Sequence, residues 1–214
     1  MIWTTIAVAL AAFVLAIGII ATSVLNLARK RSAFVVTQRW RSIFEGESLP
    51  DSVPLIRRSQ VATVLHVWND CYVAGARPQL VRAARAVNFE ALALDLVRRR
   101  REDERLIGLF ALGTMRSPAV VPVAIKLAAG GPALLELVAY RALALVDEGM
   151  VLPFVQKIAE NDEWNVAKVE FVCVELGARK LSRALNHVVT NASGAQLERL
   201  RPFLRFCLPQ STKA

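Results

Sequence analysis

The chain has 214 residues, of which 55% are hydrophobic and 7% aromatic, and its formal net charge is +9 at pH 7. This length is enough for one medium-sized domain with its own core behind a short N-terminal segment. The three cysteines form no CxxC pair and no even-numbered framework, which excludes a disulfide-stapled secreted domain and favours a reducing compartment.

The first 28 residues contain no charged side chain, and Arg29, Lys30 and Arg31 follow at once. Because about 20 helical residues cross a ~30 Å hydrocarbon core, the stretch predicts a transmembrane anchor over residues 1–28. The basic flank predicts a single-pass protein of the bacterial inner membrane, with its N-terminus outside and its C-terminal domain cytoplasmic. A cleaved signal peptide is disfavoured, since no basic side chain precedes the apolar run and its cleavage site is poor.

Residues 29–52 form a basic segment in which apolar side chains recur at near-helical spacing before a Gly- and Pro-containing break. We expect a juxtamembrane helix and a linker here. Basic residues beside an anionic leaflet contribute about 1 kcal/mol each, so the segment predicts contact with anionic lipid headgroups. The candidate membrane-surface residues are Arg29, Lys30, Arg31, Arg39, Trp40 and Arg41.

Residues 53–208 show helical rather than alternating spacing of apolar residues throughout. The pattern predicts one helix around 56–68, a turn at 75–78, a second helix around 80–87 and a third over 88–97. A closing helix is expected over 194–206, and residues 209–214 form a polar tail that we expect to be flexible. The predicted fold class is all-α.

The middle of this domain contains a repeated pattern. Ala111-Leu112-Gly113 aligns with Ala144-Leu145-Val146 at an offset of 33, and Glu175-Leu176-Gly177 follows the second motif at an offset of 31. Each unit consists of an apolar helix, a short turn and a second apolar helix, which is typical of an α-solenoid. With the polar turn at 162–166, these motifs resemble the HEAT-repeat family in its short bacterial form. The resemblance implies stacked helix pairs, so the full prediction is an N-terminal transmembrane helix followed by a small HEAT-like α-solenoid.

No catalytic constellation is found in the sequence. His66 and His187 are far apart, and neither a nucleophile elbow nor a Gly-rich phosphate loop occurs. We therefore predict that the protein is not an enzyme and has no catalytic, cofactor-binding or metal-binding residues.

The candidate partner-binding residues are basic side chains and one tryptophan. A run of four arginines precedes three acidic residues at 102–104, and this run suits either a basic docking patch or a solvated helix end that matches the helix dipole. Trp164 lies in a polar turn, where it is either an interface anchor or packed over the start of its own repeat. The candidates are Arg57, Arg58, Arg82, Arg85, Arg98, Arg99, Arg101 and Trp164.

The anchor, the repeat and the lack of catalytic motifs together predict a membrane-tethered cytoplasmic scaffold that binds a protein of an inner-membrane assembly. Family resemblance suggests a polysaccharide-synthesising glycosyltransferase or a secretion complex as that assembly. Two alternatives remain: a basic solenoid that binds nucleic acid or lipid phosphates, and a protein similar to the lyase-type HEAT proteins. Nucleic acid is disfavoured, because no aromatic residues are interleaved with the arginines.

Overall fold

The computed structural model describes residues 31–46, 55–75 and 77–206, without the side chains of residues 77–79 and 81. These residues form α-helices and short 3-10 helices joined by turns, and no strand occurs among them. This confirms the all-α part of the predicted fold class.

The transmembrane part of the predicted fold class is corrected. Within the described ranges, no helix is both long enough and apolar enough to cross a membrane. The anchor predicted over residues 1–28 lies outside those ranges. Neither the transmembrane helix nor the single-pass inner-membrane location is supported by the described residues.

The chain divides into two compact units, Met1–Ala83 and Ala84–Ala214. In the first unit, α1 covers residues 31–45, a 3-10 helix covers Arg58–Gln60 and α2 covers Val61–Ala74. The next helix, α3 (Arg77–Ala86), contains the boundary between the units. Gly75 ends α2 in the left-handed conformation with φ +106°, and its N–H donates to the carbonyls of Cys71 and Tyr72. Only glycine adopts this conformation without strain, so the start of the predicted turn at 75–78 has a clear local cause, but α3 already begins at Arg77 within that range.

The second unit contains eight further α-helices among its described residues. They are α4 (Phe89–Val97), α5 (Glu102–Thr114), α6 (Val121–Ala128), α7 (Ala133–Val146), α8 (Val151–Glu160), α9 (Val166–Leu176), α10 (Ala178–Asn191) and α11 (Gly194–Leu200). The 3-10 helices of this unit are Pro118–Val120, Glu148–Met150 and Arg201–Phe206.

Within the second unit, α5, α7 and α9 pack side by side, and α8 packs against α10. The helices α5, α7 and α9 end at Thr114, Val146 and Leu176, so their ends recur at nearly equal intervals along the chain. This confirms the predicted helical repeat, and the packing is α-solenoid-like. A Cβ atom at Gly113 would lie 2.9 Å from the Cα atom of Ala142. The small residue at the end of the first repeat motif therefore allows α5 to approach α7 closely.

The predicted closing helix differs from the observed one. The α-helix stops at Leu200, and residues Arg201–Phe206 continue as a 3-10 helix. Pro202 has no backbone N–H to donate to an α-helical carbonyl, which explains the change. Leu200 and Phe203 are still fully buried and join a core cluster that is built mainly from α8, α9 and α10. The tail at 209–214 lies outside the described residues.

Candidate functional site

The predicted basic residues of the first unit lie at its surface. Arg57, Arg58 and Arg82 are exposed. Arg85, the next candidate along α3, belongs to the second unit and is exposed as well. The side chains of all four arginines are therefore accessible to solvent.

Two of the three arginines predicted to form a docking patch near residue 100 are instead ion-paired locally. Arg99 lies 2.7 Å from the carboxylate of Asp95 and 3.2 Å from that of Glu104. Arg101 lies 2.7 Å from Asp103 at the start of α5. Hydrogen bonds to these carboxylates raise the pKa of both guanidinium groups, and the bond from Arg101 lowers the pKa of Asp103.

Arg98 remains exposed beside this local network. The local ion pairs match the helix-end alternative, and partner binding by these arginines stays a prediction.

Trp164 is buried rather than exposed. Its side chain is 6% exposed, its ring stacks on Phe154 at 6.0 Å between centroids, and Tyr140 meets it edge-on at 5.7 Å. Its indole N–H donates to Glu136. Trp164 is therefore packed, as the second alternative required, but against α7 and α8 of the preceding helix pair rather than over the start of its own repeat.

The candidate membrane-surface residues separate into three groups. Arg29 and Lys30 lie outside the described residues, whereas Arg31 and Arg39 are exposed on α1. Arg41 belongs to the exposed group as well, and its guanidinium group lies 3.7 Å from the Glu45 carboxylate.

Trp40 forms the third group, because it is only 3% exposed and packs against Phe44 with a centroid distance of 5.4 Å. Its ring is therefore part of the core of the first unit.

A buried polar cluster around Arg141 was not predicted. Arg141 of α7 is 1% exposed and makes a bidentate ion pair with Glu175 of α9, with both N–O distances at 2.6 Å. It also donates to the Thr114 hydroxyl at 2.9 Å and to the Phe110 carbonyl at 3.1 Å, both on α5. One side chain thus links three neighbouring helices. The available sequence signal was a lone arginine within the apolar run that forms α7.

Aromatic rings lie beside this cluster. The guanidinium carbon of Arg141 lies 3.7 Å from the centroid of the Phe110 ring, and that ring stacks on Phe171 of α9 at 6.4 Å. Cation–π attraction and the ion pair act on the same guanidinium group. The ring of Phe110 on α5 therefore lies between the Arg141 guanidinium group and the ring of Phe171 on α9 as a contact of both.

One side of α9 has four exposed apolar side chains, and Glu170, which is ion-paired with Arg205, lies within the same arc. Val166 is 50%, Phe171 42% and Val174 63% exposed, and Ala167 beside them is exposed as well. At 100° per residue these four side chains lie within an arc of about 140° on one side of the helix. We call these four residues the α9 ridge. Helical periodicity alone did not reveal it, since the same apolar spacing predicts a buried face.

The two cysteines among the described residues, Cys71 and Cys173, are buried. Burial raises the pKa of the Cys173 thiol to about 12, and it also raises the pKa of Cys71. Across the described ranges, no three His, Cys, Asp or Glu side chains converge as metal ligands would.

No protein family, curated protein or solved structure matches the chain. The resemblance to HEAT repeats therefore stays a prediction. The repeat itself rests on the packing of α5, α7 and α9.

Proposed function

We propose that this protein is a helical-repeat binding module that holds a short apolar segment of a partner protein on the α9 ridge. The observation that carries the proposal is the exposure of Phe171 and Val174 on a helix whose opposite face is fully packed. Contiguous exposed apolar side chains mark interaction sites in soluble domains, and aromatic residues are enriched among their energetic anchors.

The ridge is preorganised for binding. Phe171 is held by its stack on Phe110, and Phe110 is held by the buried guanidinium group of Arg141. Glu175, one helical turn beyond Phe171, is fixed by the same guanidinium group. A surface that is already ordered loses less conformational entropy when a partner binds, so even a small contact area contributes usefully.

The size of the ridge favours a short segment over a second folded copy of the chain. Each partner in a standard protein interface buries about 800 Å². Four side chains on one helix cover much less than that. An apolar strand or helix of a partner, laid along α9, matches both the length and the chemistry of the ridge.

Site-specific photocrosslinking of the full chain tests this proposal. A photoreactive amino acid would replace Val174 in one variant and Arg183 in a matched control, since Arg183 is exposed on α10. We expect a protein to be captured from position 174 and not from 183. The captured protein would then be purified and titrated against the full chain with and without Phe171→Ala. A decrease in affinity of at least tenfold, with an unchanged melting temperature, supports the proposal.

Three results would contradict it. Equal capture from both positions would show non-specific contact, and crosslinks only between copies of this chain would show self-association. Loss of the crosslinked species after nuclease treatment would favour the basic, nucleic-acid-binding alternative. The triple variant Arg98→Glu, Arg99→Glu, Arg101→Glu gives a separate comparison. If the partner binds the α9 ridge, this variant should bind the captured protein with unchanged affinity.

A further inference from the structure

A cavity of about 380 Å³ lies in the first unit, between α1 and the start of the segment that leads into α2. Its size falls within the roughly 300–1,000 Å³ of small-molecule sites. Val35, Val36 and Trp40 of α1 and Leu55 on the other side provide an apolar lining. Leu55 is 97% and Val35 64% exposed, so this lining faces the opening of the cavity.

Two arginines border the same cavity. Arg31 and Arg39 lie eight residues apart on α1, with Val35 midway between them, so all three share one side of the helix. Neither guanidinium group has an ion-pair partner among the described residues, whereas the neighbouring Arg41 is paired with Glu45. The neutral polar residues that line the cavity among the described ones are Ser32 and Gln60. The cavity thus combines positive charge with an uncovered apolar surface.

We propose that this cavity binds a single-chain aliphatic carboxylate, with the carboxylate between Arg31 and Arg39 and the chain against Val35, Val36 and Leu55. Guanidinium groups bind carboxylates through paired, charge-assisted hydrogen bonds. Burial of the aliphatic chain removes exposed apolar surface of both ligand and protein from water. An inorganic anion would use the arginines but leave the apolar lining uncovered, and a neutral alcohol would leave the charges unpaired.

Photolabelling of the full chain with a diazirine analogue of dodecanoate tests the site, with labelled peptides mapped by mass spectrometry. We expect labels on peptides from residues 32–57. Dodecanoate should compete with this labelling, and dodecanol should compete at least tenfold less effectively. The double variant Arg31→Gln, Arg39→Gln should lose at least tenfold in labelling. The matched control, Arg57→Gln, Arg58→Gln, removes two exposed arginines of the same unit that do not line the cavity. The labelling of this control should equal that of the unsubstituted protein.

Circular dichroism of both double variants checks that they fold, which we expect because all four side chains are exposed. Equal competition by dodecanol, or equal loss of labelling in the two double variants, would overturn the proposal. Labelling that occurs only when the probe is carried in anionic vesicles would overturn it too, since it would show surface attraction rather than a cavity ligand. None of these outcomes depends on the α9 ridge.

Discussion

Arg141 illustrates how a charge is accommodated in the interior of the second unit. Transfer of a guanidinium group out of water costs several kcal/mol unless ion pairs and hydrogen bonds replace its hydration. Glu175, Thr114 and the Phe110 carbonyl together provide these partners. The charged and polar groups of the cluster therefore have hydrogen-bond partners. Removing one of these partners lowers the free energy of unfolding by more than the intact cluster contributes to it.

Arg141→Met is expected to lower the free energy of unfolding by about 3–5 kcal/mol, because it leaves Glu175 buried without its partner. Urea denaturation at pH 7 measures the change. The double variant Arg141→Met, Glu175→Met should recover most of the loss, since apolar residues of similar volume replace both charges. Arg101→Met is the exposed control and should cost about 0–1 kcal/mol. Equal losses for Arg141→Met and Arg101→Met would show that the buried pair is not formed.

Cys173 provides a pH-dependent test of burial. Desolvation, together with the nearby charge of Glu170, raises the pKa of its thiol from the ordinary value of 9.0 to about 12, although Arg205 opposes the rise. Between these two pH values, the unfolded chain has lost the proton and the folded chain retains it. The stability that this thiol contributes is therefore complete below pH 9 and declines as pH rises toward 12.

We expect the stability advantage of the parent chain over Cys173→Ala to shrink between pH 8 and pH 10.5, as measured by urea denaturation in matched buffers. Lysine and tyrosine titrations affect both proteins alike, so the difference isolates the thiol. A constant difference across this range would mean that Cys173 is exposed to solvent in the folded protein.

At the level of elements, close approach between helices depends on single glycines. A Cβ atom at Gly108 of α5 would lie 2.6 Å from the carbonyl oxygen of Ala93 on α4. That neighbour is backbone and cannot rotate away, so the two helices would have to separate. Gly130, in the turn after α6, has no atom within 4 Å of such a Cβ and keeps a negative φ.

Gly108→Ala is expected to destabilise the protein by about 1–3 kcal/mol through overpacking, even though alanine favours helix. Gly130→Ala should leave stability within about 0.5 kcal/mol of the parent or raise it slightly. Thermal melting of both variants, followed by circular dichroism, gives the comparison. A melting temperature for Gly108→Ala equal to or above that of Gly130→Ala would contradict the observed α4–α5 spacing.

Element boundaries were largely readable from local chemistry. Gly75 and Gly177 end helices with positive φ, and the Asn165 side chain caps α9 by accepting from the Lys168 N–H. Each of these signals acts within a few residues of its position. The 3-10 segment at Arg201–Phe206 was missed, although Pro202 was visible, because helical spacing of the apolar residues continues through it.

At the level of the whole molecule, the second unit has a buried cluster of its own that is built from α7 and the elements after it. Its buried cluster extends from Leu137 to Phe203 without any residue of the first unit. A region with a separate core is expected to fold by itself. Residues 88–206, which begin at the N-cap of α4, should therefore be helical and should melt cooperatively.

Circular dichroism and urea denaturation of the 88–206 fragment measure this. We expect a single sigmoidal transition, and the Arg141→Met change should shift its midpoint as it does in the full chain. A broad, non-cooperative transition would show that the second unit needs residues before 88 to complete its core.

The sequence by itself determined the helical class and the helical repeat, because helical periodicity depends only on neighbours along the chain. It did not determine which apolar faces remain uncovered. Val174 is 63% exposed and Val172, two residues away, is 3% exposed, and only the packing of α7, α10 and the 3-10 helix Arg201–Phe206 around α9 distinguishes them. Tertiary structure likewise decided that Trp164 is buried and that Arg141 lies inside. Burial is set by which helices meet, and the partners that meet are distant in sequence: Glu175 follows Arg141 by 34 positions, and Glu136 precedes Trp164 by 28.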